Sequence, residues 1–145
     1  MPSSYSVVLC YSRHPESDTD PAKVFPVERQ SPDLGVARYT LSQIIAGPTE
    51  GEQSTGYFSS VFLLGESNCG GDFSVAIESG TAVVRFCRPL LRANSLMEAQ
   101  ARSQIEATLK QFATIRDVVV LDHEGRCLFA DSEQPLCLKG QSERR

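Results

Sequence analysis

The sequence has no tryptophan and only two histidines, His14 and His123. So little imidazole leaves scant material for a His-based metal centre or for general acid–base catalysis. No apolar run approaches the ~20 residues that a membrane-spanning helix requires. Basic residues (14) are outnumbered by acidic ones (18), giving a net charge of −4 and no basic cluster. This balance argues against a nucleic-acid backbone or an anionic membrane surface as the main partner. No Cys-x-x-Cys pair occurs, and the cysteine spacings do not make a four-ligand zinc set. No Gly-x-Ser-x-Gly nucleophile motif is present. Gly47-Pro48-Thr49-Glu50-Gly51 lacks the Lys-Ser/Thr of a phosphate loop and reads as a helix stop followed by a cap.

What is present is an ordinary globular composition. The chain has 145 residues, 41% hydrophobic and 22% charged, enough for one domain with a real core. Five cysteines are many, and an odd number leaves one thiol over in any intramolecular pairing. The N-terminus shows no basic region, and Val7-Val8-Leu9-Cys10 is too short and too bulky before the cysteine for a lipoprotein signal. Two readings stay open: a cytosolic chain, or one whose export segment has been removed.

Residues 5–11 are β-branched and aromatic and read as a strand, followed by a polar loop over 12–23. Residues 24–29 are extended, with Pro26 suited to an edge strand. Ser31-Pro32-Asp33 has the form of a helix start, and Val36, Thr40 and Ile44 share one face of the helix it would open. Gly47-Pro48 stops that helix, and Thr49 with Glu52 has capping-box form for a short turn over 50–55. Residues 57–64 read as a strand, and 65–71 as a loop. Residues 73–77 and 82–87 form a hairpin around Ser79-Gly80.

Ser95-Leu96-Met97-Glu98 resembles a second capping box, opening a helix over 95–112. Met97, Ala101, Ile105, Leu109 and Phe112 form its apolar face, and Gln100, Arg102, Gln104, Glu106 and Lys110 cover the rest. Residues 117–121 are a valine-rich strand, Asp122-His123-Glu124-Gly125 turns it, and 126–129 returns. The expected architecture is α+β: a single compact domain with a mixed or antiparallel sheet and two main helices on one face. Its bounds are 5–130, with a polar tail over 131–145.

The order of these pieces carries a resemblance. Pro26-Val27-Glu28-Arg29 follows an N-terminal strand; a helix runs into Gly47-Pro48-Thr49 with Glu52 nearby and Gly56-Tyr57 next. A helix ending Ala107-Thr108-Leu109-Lys110-Gln111-Phe112 leads to Val118-Val119-Val120-Leu121-Asp122 and Gly125. Over residues 5 to 130 the chain resembles the GerMN domain, the sporulation and spore germination domain. The segments around Cys69, Cys87 and Cys127 are similar to cysteine-containing versions outside spore formers, as in cyanobacteria. The resemblance implies a fold similar to ring-building motifs and a non-enzymatic module outside the cytoplasmic membrane. It implies protein–protein contacts with other cell-envelope proteins or with a second copy. It brings no catalytic residues and no cofactor.

The cysteines carry most of the remaining chemistry. If Ser79-Gly80 is a two-residue turn, Glu78 faces Thr81 and Asp72 faces Cys87. Cys69 lies three residues before Asp72 in a Gly-rich loop, within bridging reach of Cys87. A disulfide there requires an oxidising compartment. Cys127 is the rival partner for either, and the alternative is free thiols or small buried hydrophobes. Cys10 belongs to the core strand and Cys137 to the tail. His123 and His14 read as turn and loop residues. A second class of function, a small thiol enzyme or redox protein, would use Cys87 or Cys127 with Arg85 and Arg126 nearby. A small-ligand receptor would require a pocket.

Overall fold

The computed structural model describes residues 5–32 and 34–129. Contacts gather into two compact units. One comprises the described residues up to Phe62 together with Leu91–Phe112; the other comprises Leu63–Leu90 together with the described residues from Ala113 on. The class is α+β, but the single sheet expected from the sequence is two three-stranded sheets, one in each unit.

In the first unit β1 (Tyr5–Arg13) is central. β2 (Phe25–Ser31) pairs antiparallel along one side, and β3 (Tyr57–Phe58) pairs with Ser12 and Arg13 on the other. A four-residue helix, α1 (Glu16–Thr19), lies within the stretch that reads as loop. α2 (Val36–Ala46) and α4 (Ser95–Leu109) pack on β1 and on each other, and α3 (Glu50–Ser54) joins β3. The core holds Leu9, Tyr11, Leu41, Ile44, Ile105 and Leu109.

Four details depart from the sequence reading. Ser31 is not a helix cap: it ends β2, faces Tyr5 in the ladder and is fully buried. Asp33 lies outside the described residues, and α2 starts behind Gly35 with no side-chain cap. The cap of α4 is Asn94, one residue earlier than expected, whose Oδ1 accepts the Met97 N–H at 2.8 Å. Gln100 and Gln104 are buried, not solvent-facing. The strand expected over 57–64 stops at Phe58, because Ser59 and Ser60 find partners off the ladder. The Ser59 hydroxyl donates to the Ile44 carbonyl, and the Ser60 N–H donates to Gln104 Oε1.

Gln104 shows how a polar residue is accommodated in this core. Its Nε2 donates to Ser12 Oγ at 2.7 Å while its Oε1 accepts from Ser60. Gln100 does the same one turn earlier, donating to the Ser17 carbonyl and accepting from Ser60 Oγ. Each amide replaces backbone partners that an irregular segment would otherwise leave unpaired.

The second unit contains β4 (Phe73–Glu78), β5 (Thr81–Phe86) and β6 (Asp117–Leu121) in the order β4-β5-β6. β4 and β5 form the hairpin with Glu78 facing Thr81. Its two-residue turn places Ser79 at φ 52° and Gly80 at φ 84°, both in the left-handed region. β6 runs parallel to β5. Phe73, Ala82, Val84, Phe86 and Val120 fill its core. The expected return strand over 126–129 narrows to a bridge between Leu121 and Cys127, with the Leu128 N–H donating to the Val120 carbonyl. Among the described residues no helix is long and apolar enough to cross a membrane. The tail over 131–145, with Cys137, lies outside the described residues.

Candidate functional site

The motif Gly47-Pro48-Thr49 with Glu52 organises one corner of the first unit. α2 ends because Gly47 takes φ 92°, while its N–H still reaches the Gln43 carbonyl. Pro48 follows, and Thr49 caps α3. Its Oγ1 accepts the Glu52 N–H at 3.2 Å, and Glu52 Oε1 accepts the Thr49 N–H at 3.0 Å. Glu52 then does a second job that the sequence reading did not assign. Its two oxygens receive the Arg29 guanidinium at 2.7 and 2.8 Å, tying β2 to α3.

Those Arg29 hydrogen bonds, ahead of any other influence, hold the Glu52 carboxyl below its ordinary range, and the same contact raises Arg29. Tyr11 lies next to this pair. Burial pushes its phenol well up, and the hydroxyl donates to the Gln43 carbonyl at 2.8 Å. The signal for Arg29 was present in Pro26-Val27-Glu28-Arg29, but only the fold brings the two segments together.

Beside this corner lies an open cleft of about 440 Å³, lined by His14, Ile45, Pro48, Phe58, Ser59 and Phe62 among others. Gly56 packs against His14, which lines the cleft. It sits at φ 103°, its carbonyl accepts the His14 N–H at 2.9 Å, and a Cβ there would come within 2.9 Å of the His14 carbonyl oxygen. His14 stacks on the Phe58 ring at a centroid distance of 4.3 Å, and its Nδ1 lies 2.6 Å from Asp18 Oδ1. Arg13 lies over the Phe25 ring and bonds to Glu16. Phe62 is 47% exposed. By sequence His14 falls in a polar loop and Phe62 in an expected strand, and neither position signals a cleft. The cleft depends on α2, β1 and β3 meeting, which no local pattern announces.

The cleft offers the ring faces of His14, Tyr57, Phe58 and Phe62 and the amide of Gln53. Two hydroxyls line it, those of Tyr57 and Ser59; the Ser59 hydroxyl donates to the Ile44 carbonyl and accepts the Val61 N–H. Among the described residues no group of three or more His, Cys, Asp or Glu side chains is placed to hold a metal ion.

In the second unit Cys69 and Cys87 are joined by a disulfide, with Cα atoms 5.7 Å apart. The Cys87 N–H donates to the Asp72 carbonyl, and Arg88 ties the same loop through Asp72 Oδ1 and the Gly65 and Leu63 carbonyls. Cys127 is also disulfide-bonded, so neither it nor Cys87 presents a thiol. Cys10 is a free thiol, buried in β1, and burial raises its pKa. His123 sits in the turn that its sequence suggests. Asp122 Oδ1 accepts the Glu124 and Arg126 N–H groups, and the His123 carbonyl accepts from Asn68 and Arg85.

No family model matches the sequence. No curated protein matches it either. Solved structures do. The chain is similar to the tandem GerMN domains of the sporulation protein GerM from Bacillus subtilis, at 13% identity and a TM-score of 0.57. The match covers 93% of this chain and 45% of that one. It is also similar to the first GerMN domain of that protein alone, at 15% identity and a TM-score of 0.54, over 93% of this chain and 94% of that domain. The chain thus spans less than half of the tandem structure and nearly all of one repeat, and it has a GerMN-like fold.

Proposed function

We infer that this chain is a binding module of a bacterial cell envelope that works through protein–protein contact and performs no catalysis. The observation that carries the reading is the likeness, over 93% of the chain, to a single GerMN domain of a sporulation protein. Two features support it. The Cys69–Cys87 bridge suits an oxidising compartment outside the cytoplasmic membrane. The cleft at Pro48, Phe58 and Phe62 has the aromatic and proline surfaces that partner side chains pack against. The motif residues Gly47, Pro48, Thr49 and Glu52 serve this reading by fixing one wall of the cleft. Assembly into rings, in the manner of ring-building motifs, belongs to the same reading as one form such contacts could take.

The test is site-specific photocrosslinking of the exported chain in a bacterial envelope. A photoreactive residue at Phe62 gives a discrete adduct with an envelope protein, and the same residue at exposed Ser42 on α2 does not. Equal labelling at both positions, or no adduct at Phe62, defeats the reading. So does recovery of Cys69 and Cys87 as free thiols from exported protein.

A further inference from the structure

The Cys69–Cys87 bridge joins two unlike surroundings. Cys87, directly after β5, is 1% exposed. Its backbone is held on both sides: the N–H donates to the Asp72 carbonyl, and the carbonyl accepts the Asn68 N–H. Cys69 is exposed, in the glycine-rich segment Ser67-Asn68-Cys69-Gly70-Gly71. The two glycines add no bulk beside it, and a Cβ built on either meets nothing within 4 Å. One half of the bridge is open to a visiting protein and the other is closed. Thiol–disulfide exchange proceeds by attack of a thiolate on one sulfur, so access decides which sulfur is taken. The attacking atom comes in line with the bond that breaks. Attack at Cys69 comes from solvent, whereas attack at Cys87 would have to come from the buried side.

Asn68 is the second clasp on this segment. Its N–H reaches the Cys87 carbonyl at 2.9 Å, and its Nδ2 donates to the His123 carbonyl at 2.8 Å. Arg85 Nη2 donates to the same carbonyl at 3.0 Å. Arg85 Nε and His123 Nδ1 are buried with no hydrogen-bond partner among the described residues. Leaving such groups unpaired is costly. When the segment lifts away, water reaches the place where Asn68, Arg85 and His123 meet, which offsets the loss of the two Asn68 bonds.

We propose that Cys69 is a thiol-exchange site for a dithiol–disulfide oxidoreductase, and that opening the bridge there releases residues 67–71. A thiolate of the partner's dithiol attacks Cys69 Sγ. A new S–S bond forms between them, the Cys69–Cys87 bond breaks, and Cys87 leaves as a thiolate that takes a proton from solvent. The partner's second thiol, deprotonated, then attacks the partner's own sulfur in the mixed disulfide. The partner's disulfide forms, and Cys69 leaves as a thiolate that is protonated in turn. Two electrons pass from the dithiol, which is oxidised, to the bridge, which is reduced. The same steps run backwards when an oxidised partner makes the bridge. The resting chain keeps the bridge, and exchange occurs only where such a partner is supplied. The site lies wholly in the second unit, so its failure leaves the reading of the cleft untouched.

A mixed-disulfide trap tests it with the whole, unreduced chain. The probe is a reduced Cys-x-x-Cys oxidoreductase whose second cysteine is replaced by serine, so that the mixed disulfide persists. Peptide mass mapping finds the trap joined to Cys69, with about ten times less at Cys87. Hydrogen exchange reads the release. In the trapped adduct the Asn68 amide loses its protection, while that of Val84, inside the ladder between β4 and β6, keeps its own. Two variants check access without the trap. Cys87→Ser leaves Cys69 as a thiol, which reacts fast with a small aromatic disulfide; Cys69→Ser leaves Cys87, which reacts slowly in the folded chain. Equal adduct at the two cysteines, or none at Cys69, overturns the proposal. So do equal rates in the two variants, or a trapped adduct whose Asn68 amide stays protected.

Discussion

Arg29 and Glu52 meet in a two-pronged contact, Nη1 to Oε2 at 2.7 Å and Nη2 to Oε1 at 2.8 Å, with both side chains about four-fifths buried. The contact spans 23 residues and fastens a strand to a helix whose own N-cap uses the same carboxylate. Removing the charge while keeping the cap separates these two jobs. Glu52→Gln retains a side chain that suits a capping box, yet it turns an amide N–H₂ toward the guanidinium. The expected loss in urea unfolding is about 1.5–3 kcal/mol, the range for hydrogen bonds to charged groups. Thr49→Ala, which removes only the cap, costs about 1 kcal/mol. If Glu52→Gln costs no more than Thr49→Ala, the ion pair contributes little.

The same pair predicts the shape of the acid limb. Glu52 is held below its ordinary value of 4.5 in the folded chain, chiefly by the Arg29 hydrogen bonds. A carboxyl lowered by folding contributes stability above its unfolded pKa and loses it as pH falls through the folded one. Unfolding free energy measured from pH 7 down to pH 2 should therefore fall less steeply below about pH 4.5 in Glu52→Gln than in the unmodified chain. Parallel curves would show that other carboxyls set the acid response.

How much of this was legible depends on whether a signal is local. Gly47, Pro48, Thr49 and Glu52 sit within six residues, and their stop and cap follow from backbone chemistry that a sequence displays. The hairpin at Ser79-Gly80 is equally local. Arg29 stands out in Pro26-Val27-Glu28-Arg29, but its partner is fixed only when β2 and α3 meet. Gln100 and Gln104 misled for a different reason. Helical periodicity assigns polar residues to solvent, but here Ser59 and Ser60 leave the ladder and need partners from inside. One sheet became two because strand spacing does not say which strands pair. The cleft was invisible for the same reason that the Arg29–Glu52 contact was.

That reversal at Gln104 gives a prediction. Gln104→Leu keeps the volume but leaves the Ser60 N–H and the Ser12 hydroxyl without their partner. An unsatisfied buried donor costs about 1–3 kcal/mol. Thermal and urea unfolding should both show the loss. Gln104→Leu with unchanged stability would mean that water replaces the amide.

Cysteine chemistry gives a fourth. Among the described cysteines only Cys10 is free, and it is buried with a raised pKa. Native protein at pH 8 should alkylate slowly there, and denatured unreduced protein rapidly. Peptide mass mapping should show Cys69 and Cys87 modified only after reduction. The bridge closes a loop with a sequence separation of 18. Its removal by Cys69→Ser with Cys87→Ser should cost about 3 kcal/mol.

The last prediction concerns Gln111, which closes the β1 edge as a neighbouring strand would. Its Nε2 donates to the Val8 carbonyl at 2.7 Å, and its Oε1 accepts the Val8 N–H at 3.0 Å. One side-chain amide thus supplies both halves of a ladder pair, and Thr108 Oγ1 serves Cys10 two residues on. Gln111→Ala opens this position to water without touching the core. Global stability should fall by about 1 kcal/mol, the net worth of a typical exposed-edge hydrogen bond. The local effect is sharper. The Val8 amide should lose most of its hydrogen-exchange protection, while those of Val7 and Leu9, which face β2, keep theirs. Loss of protection at all three amides would show instead that Gln111 holds the whole strand in place. Unchanged protection at Val8 would show that another group has taken over the edge.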